Sequence, residues 1–122
     1  MKTNITVYYA DVCGNPQNCQ YPHKGIATTP EELKRCMARD HVFIRFNGNY
    51  RTGKNFEEAV TAVFDCDNDF TEDAARWISP EDISRLFPSV SCAISTSQHH
   101  MKQKESKSPR PRFHVIFAIE PI

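Results

Sequence analysis

Ala62-Val63-Phe64-Asp65-Cys66-Asp67-Asn68-Asp69 decides the reading of this chain. An apolar run rises from Val60 and stops at three acids spaced two apart. Apolar β-branched and aromatic residues closed by Asn and Asp predict a buried strand that runs into a turn. Side chains alternate along a strand, so Asp65 and Asp67 are expected on one face, roughly 6–7 Å apart. Two such carboxylates at the end of an apolar strand repel each other and lose hydration, a cost that a cation between them relieves. Hard oxygen ligands of this kind suit Mg²⁺ or Mn²⁺. The same residues also fit a strand that enters a solvated Asp/Asn turn.

Working outward, Val90 to Thr96 and Arg112 to Ile119 predict two further strands. In the second, Phe113, Val115, Phe117 and Ile119 share one face and Arg112, His114 and Ile116 the other. Between these strands, Gln98 to Arg112 carries five basic residues (Lys102, Lys104, Lys107, Arg110, Arg112) against Glu105, a local net charge of +4. The chain as a whole has a formal net charge of zero, so any basic surface must be local. A basic lobe beside a carboxylate pair is what a metal–phosphate or nucleic-acid site requires.

Toward the N-terminus, Asn4 to Tyr9 predicts a strand and Asp11 to Thr28 a loop rich in Gly, Asn, Pro and Gln. Cys13, Cys19, His23 and Cys36 match no compact zinc spacing. Thr29-Pro30-Glu31-Glu32 starts a helix that runs to about Arg39 and buries Leu33, Cys36 and Met37. His41 to Phe46 predicts a strand, Asn47-Gly48 a hairpin turn and Tyr50-Arg51 the return. His41 reads as a structural or surface residue rather than a catalytic one. Ser79-Pro80-Glu81-Asp82 starts a second helix with Ile83, Leu86 and Phe87 as its buried face and Trp77 as an anchor beneath it. The order of elements predicts a single α+β domain, a mainly antiparallel sheet with helices packed on it.

At 122 residues, 39% hydrophobic and 25% charged, the composition is that of one soluble globular domain. Five cysteines without regular spacing favour reduced thiols and a cytoplasmic setting. No stretch approaches the ~18 apolar residues of a membrane span, and Met1-Lys2-Thr3-Asn4-Ile5 lacks a signal-peptide core.

With both site stretches in view, the chain resembles the archaeo-eukaryotic primase superfamily. The closer likeness is to primase-like domains at the N-termini of replication proteins of phages, plasmids and bacterial integrative elements. Val63-Phe64-Asp65-Cys66-Asp67 resembles the first motif of that family, and Arg112-Phe113-His114-Val115-Ile116-Phe117 the second; Ser95-Thr96-Ser97 precedes it as a Ser/Thr-rich strand end does there. The likeness runs from about His41 to Ile122 and implies an RRM-like catalytic core. It further implies nucleotidyl transfer, in which a 3′-hydroxyl attacks the α-phosphate of a nucleoside triphosphate.

In that reading Asp65 and Asp67 hold Mg²⁺ or Mn²⁺, His114 and Arg112 neutralise phosphate charge, and Ser95 or Ser97 donates to a phosphate oxygen. Lys102, Lys104, Lys107 and Arg110 follow single-stranded DNA or a primer-template, and a helicase domain or another replication protein is the implied partner. Two departures stand out. Arg112 occupies a position that is usually small, and the third acidic motif of the family is expected beyond Ile122, since Glu120 is the only acid after His114. A front part of a larger replication protein and a shortened relative both fit. The alternatives are a primase-like binding protein without turnover and a metal-dependent nuclease that uses the same D-x-D.

Overall fold

A computed structural model of the chain describes residues 4–122. It is an α+β structure with two helices and mainly antiparallel sheets. The chain divides into two compact units, Met1–Ala62 with Phe117–Ile122, and Val63–Ile116.

In the first unit β1 (Ile5–Tyr9) lies between β2 (His23–Ala27) and β3 (His41–Val42), antiparallel to both. The predicted loop after Asp11 therefore contains a strand, with Ile5 opposite Ala27 and Tyr9 opposite His23. His-Lys-Gly-Ile-Ala has no alternating pattern, which hid it. Gly25 is there for close packing: a Cβ at this position would lie 2.5 Å from the Cys36 sulfur.

Cys36 belongs to α1 (Pro30–Met37), which starts as the sequence predicts. The Thr29 hydroxyl accepts from the Glu32 N–H at 3.2 Å, and the Glu32 carboxylate reaches back to the Thr28 N–H at 2.9 Å. Leu33 is the buried anchor of α1, while Cys36 and Met37 are only half-buried.

β4 (Ile44–Phe46) pairs with β5 (Phe56–Ala59), so the hairpin returns at Phe56 rather than at Tyr50. The reason is a competing partner. The Arg51 N–H donates to the Cys19 carbonyl at 2.8 Å and the Tyr21 N–H to that of Asn49 at 3.1 Å, which draws Tyr50-Arg51 to the earlier loop. The His41 Nδ1 lies 2.8 Å from the Arg39 carbonyl oxygen.

The third sheet has the order β6 (Thr61–Cys66), β8 (Phe113–Ala118), β7 (Cys92–Thr96). Its central strand β8 is buried on both faces through Phe113, Val115 and Ile116. β6 is an edge strand, and the apolar run expected to be buried there leaves Val63 at 38% and Phe64 at 61% exposure. In the second unit, α2 (Pro80–Leu86) begins with a reciprocal cap between Ser79 and Asp82. Ile83 is buried, but Leu86 and Phe87, at and just after the end of the helix, are exposed.

Candidate functional site

The acidic strand end is shaped by a residue between the acids. Asn68 is 4% exposed and adopts φ 56°, the left-handed conformation that Asn tolerates better than other side-chain-bearing residues. Its Nδ2 donates to the carbonyls of Ile78 and Pro111, both at 2.8 Å, and its Oδ1 accepts from the Ile78 N–H at 2.8 Å. One buried amide thus ties the turn to the segment before α2 and to the segment before β8. This turns Asp67 and Asp69 toward β8 rather than into a free solvated loop.

From the other side, β8 presents the basic groups. His114 Nε2 lies 3.4 Å from Asp65 Oδ1, and Arg112 Nη1 lies 3.8 Å from Asp67 Oδ1 and 2.8 Å from Asp69 Oδ1. The acids of the first stretch and the basic groups of the second are therefore close in space. Arg112 is 1% exposed, yet its Nε, Nη1 and Nη2 have no well-aligned hydrogen-bond partner, although Nη1 stands at ion-pair distance from Asp69. Desolvation alone would raise the Asp69 carboxyl, but Arg112 and Lys107 outweigh it and hold that group below its ordinary value.

Ser97 stands beside Arg112, since its N–H donates to the Arg112 carbonyl at 2.9 Å, and its buried hydroxyl has no hydrogen-bond partner. Ser95, half-buried on β7, is two residues earlier and so on the same side of the strand. The Arg112 N–H donates to His100 Nδ1 at 3.1 Å, a contact with no signal in the sequence.

The basic loop separates into two kinds of residue. Lys104 and Lys107 exchange backbone hydrogen bonds of 3.1 and 2.9 Å, making a tight turn with Glu105 at φ 55°. Lys102 is exposed, and Lys107 Nζ lies 3.3 Å from Asp69 Oδ2. Arg110 departs from the expected backbone-tracking role: it is fully buried and already saturated. Its Nη1 donates to the carbonyls of Asn68 (2.9 Å) and Thr71 (3.1 Å), its Nε to that of Ser108 (3.0 Å), and its Nη2 to the Glu72 carboxylate. Its guanidinium stacks 4.8 Å from the centre of the Trp77 ring, whose Nε1–H donates to the Thr71 carbonyl at 2.8 Å. Trp77 is thus less an apolar anchor than a platform for a cation. The Arg110 hydrogen bond, then that of Ser108, holds the Glu72 carboxyl below its ordinary value.

Among the described residues, no three His, Cys, Asp or Glu side chains converge as a metal-binding group. Asp65 and Asp67 offer carboxylate oxygens only, a donor set that fits a hard cation which keeps water or phosphate in its other positions. Alternation along the strand puts Cys66 on the opposite side, and burial, then the charges of Asp67 and Asp65, push its thiol up. His23, weighed for zinc, instead lies 2.8 Å from Asp11. Among the described residues no helix is long and apolar enough to cross a membrane. No family model matches the chain, and no curated protein and no solved structure matches it.

Proposed function

We propose that the second unit carries the metal- and phosphate-binding part of a primase-polymerase type nucleotidyltransferase site, built on an RRM-like core. The observation that carries this reading is the meeting of Asp65 with His114, and of Asp67 with Arg112, on and just beyond the ends of two adjacent strands. Acids to hold a cation and bases to hold phosphate thereby share one face. Asp65 and Asp67 hold Mg²⁺ or Mn²⁺, which supplies charge neutralisation at the triphosphate and activation of the attacking hydroxyl.

Arg112 and His114 take phosphate oxygens, for which a guanidinium fork offers bidentate geometry, and the unpartnered Ser97 hydroxyl adds a donor. Ser95 extends the same row. The exposed Lys102, with Lys104 and Lys107, follows the backbone of single-stranded DNA or a primer-template. The helicase domain or replication partner of the resemblance belongs to the same proposal.

The test is calorimetric titration of Mn²⁺ and a nucleoside triphosphate into the chain and into the Asp65→Ala/Asp67→Ala double variant. Binding that disappears in the double variant supports the site, and primer synthesis by this chain and by a longer parent frame is then the activity assay. Turnover of nucleic acid without any nucleotide would instead favour the nuclease, and binding without turnover the non-catalytic relative. No binding by folded protein refutes the proposal.

A further inference from the structure

Arg110 and Arg112 lie two residues apart and are both fully buried, but their surroundings differ. Every nitrogen of the Arg110 guanidinium has a partner. None of the Arg112 nitrogens has an aligned one. A guanidinium presents five donors in a fixed fork, and burying that fork without hydrogen bonds is costly unless something fills it. What faces it is Asp69, which supplies charge at 2.8 Å without the matching geometry. The other oxygen of the same carboxylate is 3.3 Å from Lys107 Nζ. One side chain thus straddles two cations that the proposed function assigns to different polyanions, Arg112 to the triphosphate and Lys107 to the nucleic-acid backbone.

We propose that Asp69 is a positioning residue that serves as an internal counter-ion, held on Arg112 and Lys107 in the ligand-free protein and displaced from both when a phosphate chain takes Arg112. The inference rests on the reading that Arg112 binds nucleotide phosphate. A phosphate group offers oxygens in bidentate geometry to a fork that Asp69 meets without matching alignment, and it repels the carboxylate it replaces. Asp69 has somewhere to go: its side chain is 36% exposed, so it rotates into water while the buried Asn68 holds the backbone.

Displacement also frees Lys107, so triphosphate and single-strand binding each tighten the other. That sign is diagnostic. Two polyanions on one surface repel, and without a shared counter-ion each would weaken the other.

The experiment titrates inorganic tripolyphosphate, without divalent cation, into wild type, Asp69→Asn, Asp65→Asn and Arg112→Ala. In parallel, anisotropy of a labelled oligo-dT is followed with and without saturating tripolyphosphate. Asp69→Asn is expected to bind tripolyphosphate about tenfold tighter than wild type, and clearly tighter than Asp65→Asn, which removes the same charge. In wild type, tripolyphosphate is expected to tighten oligo-dT binding; in Asp69→Asn it weakens it.

Equal effects of Asp69→Asn and Asp65→Asn overturn the inference, because net charge then explains both. So does mutual weakening of the two ligands in wild type, a measurement that needs no variant to fold. If Arg112→Ala loses tripolyphosphate while Asp69→Asn gains nothing over Asp65→Asn, the Asp69 role alone fails. Undiminished binding by Arg112→Ala, or no binding by any folded form, overturns the phosphate reading and this inference with it.

Discussion

Asn68→Ala is the sharpest single test of how the acidic turn is held. The substitution removes three hydrogen bonds of 2.8 Å from a residue that is 4% exposed. Each contributes about 1 kcal/mol net when its partner is buried. Alanine must also hold φ 56°, which adds about 1 kcal/mol. The expected loss is therefore about 4 kcal/mol, a large fraction of the ~5–15 kcal/mol that stabilises a typical domain.

Urea unfolding followed by fluorescence of the one tryptophan, Trp77, reports on the same unit, because its indole N–H is bonded to Thr71 beside the turn. Asn68→Asp is the matched control. It keeps the shape and the acceptor for the Ile78 N–H, but turns the two donor contacts into a carboxylate oxygen facing two carbonyls. It is expected to destabilise as well. An Asn68→Ala variant within about 1 kcal/mol of wild type, or a tolerated Asn68→Asp, would refute the role given to this amide.

Three other outcomes follow from the same contacts. Ser79→Ala removes one half of the cap of α2 and is expected to cost about 1 kcal/mol by the same urea assay. The Glu72 carboxyl has a folded pKa below its ordinary 4.5, so its contribution is complete above that value and is lost as pH falls through the lower folded one. Glu72→Gln is therefore expected to flatten the acid limb of Trp77 unfolding as pH falls below about 4.5, by a small amount because the side chain is 63% exposed. Lys102→Gln with Lys104→Gln is expected to make the log–log salt dependence of oligo-dT binding shallower by about 1.4, at ~0.7 per phosphate contact, whereas Arg110→Met leaves that slope unchanged and lowers stability by about 2 kcal/mol or more.

The two buried arginines show why side-chain chemistry alone did not sort the basic loop. Arg110 and Arg112 differ little as sequence, since both flank Pro111 in a basic stretch. The surroundings separate them. Arg110 meets carbonyls of Asn68 and Thr71, the Glu72 carboxylate and an indole face, and becomes a strut. Arg112 meets the carboxylates of Asp67 and Asp69 without an aligned acceptor.

What the amino-acid order determines by itself is whatever depends on neighbours in the chain. Both helix starts were legible, because a capping hydroxyl, a proline and an acid act within one turn. So were the strands β1, β7 and β8 and the apolar run into Asp65, because alternation and β-branching are local. That Arg112 and His114 share a face followed from the same alternation. The long-range partners had no such signal. Only the tertiary structure decided that Tyr50-Arg51 would bond to the earlier loop, that β2 would exist without a pattern, and that β6 would be an edge with Phe64 exposed. It also decided that Asn68 would join three segments, and that Asp69 would stand between Arg112 and Lys107. Each of these rests on which buried donor or charge finds its partner across the fold, a competition among distant groups that no window of neighbouring residues contains.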